Sequence, residues 1–572
     1  MKNIKDFLNQ EIGTVQNVDT KKVSVLVEKE EILNKLKIND IVVLSGDNTD
    51  VKLIGIVTRV SKKKIDFDDY DDSEEQEYSY NFCNITLIGT FYVKFFVNKK
   101  NIFKRAVNTY PEINSKVYLA EEEALSIIMN SFENEISSKQ RLVIGKYASN
   151  KSVEAILDGN KFFQKHAVII GSTGSGKSFT VANILEKANK LEYSNLIVFD
   201  LHGEYNELSY AKQIKICDSI EGLHIPLWFF NYEEIHSLFI ESSEGTSTNQ
   251  RAAVIKYILE YKKKYIHENI KNFSPEIVTV DTPIPFSAKN LKEDLERENI
   301  KEELTGEEYK SGEKKGQIKT RQGQYYGKLT NLITRLQTKI DDKKYGFVFN
   351  ENKTIRQDYL KEFMNTIMGQ DKKIKVIDLS EVPSDMLSII IGIVTRLVYD
   401  IQFWMSPQKN QTRHPLAFIC DEAHLYMPKD TSKLKAVENK SLEIFEKISK
   451  EGRKYGVSLV IVSQRPAELN STIISQCNNM ISLKITNDRD KSAVANMLTD
   501  SLVGLVETLP NLDVGECIVV GDSIKLPTKI LLDKPEEEPK SSTIDFWDRW
   551  IDKKDTVFNI EEAISCMIKQ TR

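Results

Sequence analysis

One stretch limits what this chain can fold into more than any other. In His166-Ala-Val-Ile-Ile-Gly-Ser-Thr-Gly-Ser-Gly-Lys-Ser178 an apolar run feeds directly into Gly171-x-x-x-x-Gly176-Lys177-Ser178, the order of strand, phosphate loop and helix. The glycines let the backbone turn tightly enough to aim successive N–H groups at phosphate oxygens, and the anion rests on the N-terminus of the following helix. In such a loop the lysine, here Lys177, reaches the β- and γ-phosphates and the serine, here Ser178, ligates Mg²⁺. The candidate nucleotide contacts are Gly171, Ser172, Thr173, Gly174, Ser175, Gly176, Lys177, Ser178 and Phe179, with ATP and Mg²⁺ as the expected cofactors.

A phosphate loop needs an α/β sheet to stand on. Leu196-Ile-Val-Phe-Asp200 is the next buried strand, at the interval of a right-handed βαβ unit, so the sheet is expected to be parallel. It resumes at Lys375 to Leu379, Pro415 to Cys420, Gly456 to Ser463, Met480 to Ile485 and Glu516 to Val520. Ahead of the loop the pattern differs: short β runs at Thr14–Val18, Val23–Val27, Asp40–Leu44, Lys52–Val60 and Tyr92–Val97 indicate a small barrel or sandwich. The acidic insert Asp66 to Glu77 reads as a solvated loop. Between Tyr205 and about Lys373, helical runs (Ala252 to Tyr265, Gln324 to Ile340) flank a polar segment, Lys289 to Gln322, expected to be a mobile loop or the turn of a helical arm. The fold class is α/β. The expected division is 1–140 for the β domain and connector, 141–205 with 374–533 for the core, 206–373 for a mostly helical insertion, and 534–572 for a linker and final helix.

A chain of 572 residues is too long for one core. No apolar run approaches the roughly 20 residues of a membrane helix, and Met1-Lys-Asn-Ile-Lys-Asp lacks a signal-peptide core, so a cytoplasmic protein with no membrane partner is expected. Six scattered cysteines without a C-x-x-C pair read as reduced and structural. The net charge of −5 does not advertise a nucleic-acid binder, yet basic groups confined to a channel would suffice. Lys314-Lys-Gly-Gln-Ile-Lys-Thr-Arg321 is a candidate for such contacts.

The chemistry gathers at strand ends. Asp421 and Glu422 close an apolar strand, where a phosphate-loop ATPase keeps a Mg²⁺-holding acid and a base for the attacking water. Gln464 follows another buried strand and is placed to sense the γ-phosphate or to position that water. Hydrolysis also calls for a guanidinium on the developing charge, and Arg453 and Arg465 are the candidates. The catalytic set is thus Lys177, Glu422, Gln464 and Arg453, with Ser178 and Asp421 for the metal.

Five stretches, Gly171 to Ser178, Val198-Phe-Asp-Leu-His-Gly-Glu-Tyr205, Phe418-Ile-Cys-Asp-Glu-Ala-His424, Glu451-Gly-Arg-Lys-Tyr-Gly456 and Val462-Ser-Gln-Arg-Pro466, resemble in this order the HerA-type ATPases of the HerA/FtsK family. The resemblance implies a homohexameric translocase or helicase on DNA, expected to be double-stranded, with a RecA-like core, a barrel like that of ATP-synthase subunits and a helical insertion. It assigns Arg453 as an arginine finger acting on a neighbouring subunit's nucleotide. It also sets Asp200, His202 and Glu204 beside the nucleotide, although Asp200 capping a surface turn remains the alternative. The segment from Leu512 to Leu532 would brace an adjacent subunit. The implied partner is a separate effector, a NurA-like nuclease in end processing or a sirtuin-like or nuclease protein in anti-phage defence. Two other functions stay open: an ATP-regulated ring scaffold that assembles an effector, and a conjugation- or secretion-type motor.

Overall fold

A computed structural model describes residues 4–20, 22–45, 50–65, 78–95, 100–133, 136–241, 244–270, 273–308, 316–406, 412–432, 434, 436–498, 503–541, 546–551 and 559–569. The chain divides into two compact units, residues 1–190 with 460–538 and residues 191–459 with 539–572.

The first unit opens with strands β1 (Glu11–Val18), β2 (Val23–Val27), β3 (Ile41–Ser45), β4 (Val51–Ile65), β5 (Tyr78–Phe95), β6 (Lys100–Lys104) and β7 (Lys116–Leu119). They pair in the order β2-β1-β7-β3-β4-β5, and β2 pairs again with β5, so six antiparallel strands close a barrel while β6 extends β5. Closure follows from alternation: Val23, Val25 and Val27 turn inward from β2 onto Ile12, Val15, Leu44, Leu53 and Ile85, all buried. Closing the sheet removes the edge strands that an open sheet would leave exposed. Two strands are far longer than expected, 15 residues in β4 and 18 in β5, bent by register shifts at Ile54/Gly55 and Val57/Arg59. The acidic insert Asp66 to Glu77 lies outside the described residues.

The later strands, in chain order, are β8 (Arg141–Tyr147), β9 (Asn150–Asp158), β10 (Ala167–Ile170), β11 (Leu196–Asp200), β12 (Ala211–Lys215), β13 (Glu302–Glu308), β14 (Ile318–Gln322), β15 (Ile374–Asp378), β16 (Leu416–Cys420), β17 (Val457–Ser463), β18 (Asn479–Ser482), β19 (Glu516–Gly521) and β20 (Thr528–Leu532). In the first unit β10 lies parallel between β17 and β18. From β18 outward the sheet turns antiparallel through β19, β20, β8 and β9, where a wholly parallel sheet was expected. The reason is connection length: β8 to β9 and β19 to β20 are joined by short turns, and only antiparallel strands can be joined that way.

In the second unit β12, β15, β11 and β16 run parallel in that order. Every residue of β11, β15 and β16 is buried, the continuous apolar pattern of strands covered on both faces. The start of β17 borders β16, with the Leu416 amide donating to the Gly456 carbonyl at 2.8 Å. The division between units falls inside β17, after Leu459. Helix Ser384–Trp404 is long and apolar enough to cross a membrane by length and composition, contrary to the expectation from the sequence, but two thirds of its apolar window is buried inside the fold.

Residues 206–373 are mostly helical, with helices Tyr232–Phe239, Ser247–Asn269, Ala288–Asn299, Thr330–Asp341 and Tyr359–Met368, but they also supply β12 to the sheet. The polar segment expected as a loop or helical turn is instead a helix, capped by Ser287, followed by an antiparallel hairpin of β13 and β14. Arg321 pairs with Glu303 and Lys319 with Glu307 across that hairpin. Charge pairing rather than apolar alternation joins these strands, so the hydrophobic pattern carried no sign of them.

Candidate active site

The phosphate loop rises from β10, whose four residues are all buried. Its entry is held by backbone: the Gly171 amide donates to the Ser463 carbonyl at 3.4 Å, and the Ser172 amide and hydroxyl donate to the Lys484 carbonyl at 2.9 and 3.0 Å. Gly176 caps helix Lys177–Asn189 at φ 100°, a left-handed conformation that a side chain would disfavour. Its carbonyl takes both the amide and the hydroxyl of Thr180 at 2.9 Å. Lys177 folds back so that its ammonium donates to the Ser172 carbonyl at 3.2 Å, within the loop it serves. Ser178 and Phe179 occupy the first helical turn, both half-buried. The Ser175 hydroxyl is buried with no hydrogen-bond partner. An orphaned donor within a ring of amides at a helix N-terminus suits an anion.

Gln464 belongs to the same unit as the loop and touches it: the Thr173 hydroxyl donates to the Gln464 carboxamide oxygen at 2.6 Å. Arg465, one of the two arginine candidates, is 3.4 Å from Glu468. Arg453 stands in the last turn of helix Ala436–Tyr455, where it is exposed and carries no ion pair among the described residues.

In the second unit β16 ends at Cys420 and delivers Asp421 and Glu422, both buried. Glu422 sits at φ 44°, ψ 41°, a left-handed conformation that costs a non-glycine residue about 1–3 kcal/mol and persists where the surroundings enforce it. Its Oε2 is buried without a hydrogen bond, and the nearest cationic candidate is Nδ1 of His424 at 3.2 Å. The Asp421 Oδ1 accepts the Glu422 amide at 2.9 Å, its Oδ2 accepts the Tyr205 hydroxyl at 3.3 Å, and its carbonyl accepts the Tyr426 hydroxyl at 2.9 Å. Burial, with the neighbouring charges of Glu422, Glu204 and Asp200, pushes the Asp421 carboxyl up to about 8. A buried carboxylate surrounded by other acids is relieved by a divalent cation. Among the described residues no cluster of three or more His, Cys, Asp or Glu could hold a metal by itself.

Asp200 closes β11 and is fully buried. Its Oδ1 accepts the amides of His202, Gly203 and Glu204 at 3.2, 2.8 and 3.1 Å, and its Oδ2 accepts that of Tyr205 at 2.9 Å. The turn-capping alternative therefore describes its contacts, though the turn is an interior one. Burial raises the Asp200 carboxyl and the four amides counter it. Glu204 is half-buried and His202 exposed. Sequence reasoning did not single out Tyr205, Tyr426 or Thr173 for these contacts; the tyrosines reach Asp421 from separate turns, a pairing no local pattern encodes.

Of the basic segment Lys314 to Arg321, residues 314 and 315 lie outside the described residues, and Lys319 and Arg321 are engaged by glutamates of the facing strand.

The family model described as "Helicase HerA, central domain" matches residues 142–398. A DNA double-strand break repair helicase HerA of Saccharolobus solfataricus is 28% identical over 526 residues, covering 90% of this chain and 91% of the relative. The chain is thus similar to the HerA proteins over most of its length. A probable helicase of Methanocaldococcus jannaschii is 26% identical to this chain, covering 87% of it and 86% of the relative. The HerA of Sulfolobus acidocaldarius is 28% identical, with 77% of each chain covered. Among solved structures, VirB4 of Thermoanaerobacter pseudethanolicus is similar at 17% identity and a TM-score of 0.42, covering 70% of this chain and 98% of that one. The bacterial conjugative coupling protein TrwBdeltaN70 is similar at 12% identity and a TM-score of 0.43, covering 73% and 93%. The family match spans both the loop and the Asp200 to Tyr205 stretch.

Proposed function

We propose that this HerA-type chain is a Mg²⁺-dependent ATPase that moves duplex DNA as a homohexameric ring. The observation that carries the hydrolytic reading is the buried pair Asp421 and Glu422, one acid held at elevated pKa and the other in a strained conformer with an orphaned oxygen. Perturbed, strained acids at a strand end mark a site that works on a ligand. The strand runs β18-β10-β17 in one unit and β17-β16-β11 in the other support a RecA-like core.

In this reading the loop from Gly171 to Phe179 binds the nucleotide, with Lys177 on its phosphates and Ser178 and Asp421 holding the metal. Bound Mg²⁺ would neutralise phosphate charge during transfer. Glu422 takes the proton of the attacking water, Gln464 orients that water, and Arg453, exposed at its helix end, serves as the finger toward a neighbouring subunit. Glu204 lies close enough to Asp421 to add to its field, and Asp200 acts through the turn it folds. The relatives' names support DNA as the substrate. We extend the family resemblance to a cytoplasmic setting and to a separate nuclease or sirtuin-like effector, in end processing or phage defence, with Leu512 to Leu532, followed by the linker and helix of 534–572, as the brace.

The test is steady-state ATPase and sedimentation of the full chain with and without long duplex DNA. A hexamer whose turnover is stimulated by DNA and abolished by Lys177→Ala supports the proposal. A monomer indifferent to DNA refutes it, and a DNA-indifferent hexamer hydrolysing ATP would favour the ring scaffold.

A further inference from the structure

The Asp200 carboxylate is engaged by backbone on both oxygens. Oδ1 takes three amides, those of residues 202 to 204, and Oδ2 takes that of Tyr205. Its geometry makes a tight interior turn. Gly203 passes through φ 74°, and a Cβ there would lie 2.9 Å from the Asn206 carboxamide. The far end of that turn is fixed as well: the Gln213 side chain donates to the Tyr205 carbonyl at 3.1 Å.

What the turn delivers is one phenol. β11 and β16 are adjacent parallel strands with Phe199 opposite Cys420, so their C-terminal ends lie side by side. Tyr205 is wholly buried there and its hydroxyl donates to the Asp421 Oδ2. The other oxygen is held by the Glu422 amide. Both anchors are neutral donors. An arginine or lysine in their place would also orient the carboxylate, but it would cancel the charge a cation needs. Each oxygen is pinned through one lone pair and keeps another free.

We infer that Tyr205 is a positioning residue for the metal-holding carboxylate of Asp421, and that the Asp200 turn serves to place it. This rests on the reading of Asp421 as the metal-holding acid. The role is separable from stability, because Tyr205→Phe removes only the hydroxyl and keeps the buried ring.

The test follows melting of the full chain with ATPγS while Mg²⁺ is titrated from an EDTA-treated sample, alongside ATPase turnover. For Tyr205→Phe the Mg²⁺ concentration at half-maximal stabilisation should rise about five- to tenfold, near the net worth of one ordinary hydrogen bond. ATPγS affinity in EDTA should be unchanged, and kcat at saturating Mg²⁺ should return to within about threefold of wild type. A merely structural role would lower the melting temperature throughout and leave that midpoint in place. Asp421→Asn should abolish the Mg²⁺-dependent rise. A Tyr205→Phe midpoint equal to wild type, with Asp421→Asn defective, overturns the inference alone. A Mg²⁺ response that survives Asp421→Asn overturns the reading of Asp421, and the role of Tyr205 with it.

Discussion

The phosphate loop and the strand-end acid pair solve opposite electrostatic problems by opposite means. The loop, read as an anion site, already has partners for its side chains: the lysine bonds the loop's own carbonyl, the serine bonds Lys484 and the threonine bonds Gln464. Its binding power lies in backbone amides at a helix start, and these cost little to leave in water. The acid pair, in the proposed reading, receives a cation: burial and neighbouring acids raise the Asp421 carboxyl, and a Glu422 oxygen is buried without a hydrogen bond. Fixed partial charges can be pre-arranged cheaply, whereas full charges can be pre-arranged only against repulsion and desolvation. Both sites draw on distant parts of the chain, Tyr205 lying 216 positions from Asp421 and the loop's Thr173 and Ser172 lying 291 and 312 positions from Gln464 and Lys484.

The sharpest way to break this contrast is to remove one group from each side. Lys177→Ala and Glu422→Gln should each lower turnover by about 10²–10⁴-fold. Only the first should also lose nucleotide affinity, measured by equilibrium titration with a fluorescent ATP analogue. Equal loss of affinity in both would show that the two regions do not divide binding from chemistry.

A buried charge away from the site tests whether burial alone produces frustration. Lys262 is fully buried, its ammonium donating to the carbonyls of Val280 and Thr282 at 2.5 and 2.6 Å, and burial pushes its pKa down to about 7. Between pH 7 and the ordinary lysine range near 10.5, the unfolded chain binds the proton and the folded chain does not. Stability from this group is therefore full above that range and is lost as pH falls toward 7. Relative to Lys262→Met, the wild-type melting temperature should climb from pH 7 to pH 10, by about 2–4 °C for each kcal/mol gained. A constant difference between the two across that window would refute it.

Asp200→Asn faces an amide N–H₂ toward backbone donors in a sealed turn, and should cost about 1–3 kcal/mol, read as a lowered melting temperature without nucleotide. The smallest effect expected is on the loop side. Thr173→Val breaks the contact with Gln464 and should slow turnover about two- to tenfold, in line with ~0.5–1.5 kcal/mol for one neutral hydrogen bond. A turnover loss well beyond tenfold would mean that the Gln464 contact is worth more than one neutral hydrogen bond.

The chain showed its α/β character and its N-terminal β region in local patterns, because buried strands such as β11, up to its closing Asp200, and β16 are apolar and β2 alternates. It did not show the lengths of β4 and β5, which are set by partners in the barrel, nor the β13–β14 hairpin, which is joined by charge. Barrel and sandwich share one alternation pattern, and only the pairing of β2 with β5 separates them.

By itself the sequence determined the phosphate loop, since its function lies in consecutive backbone amides and in glycines that permit their geometry. It also placed two acids at the end of a buried strand. Only the tertiary structure decided what those acids experience: which donors reach Asp421, how far its charge is raised, and that Asp200 is spent on a turn. Those properties depend on side chains brought together from distant strands and on the exclusion of water around them, and neither burial nor a long-range hydrogen bond is written in local order.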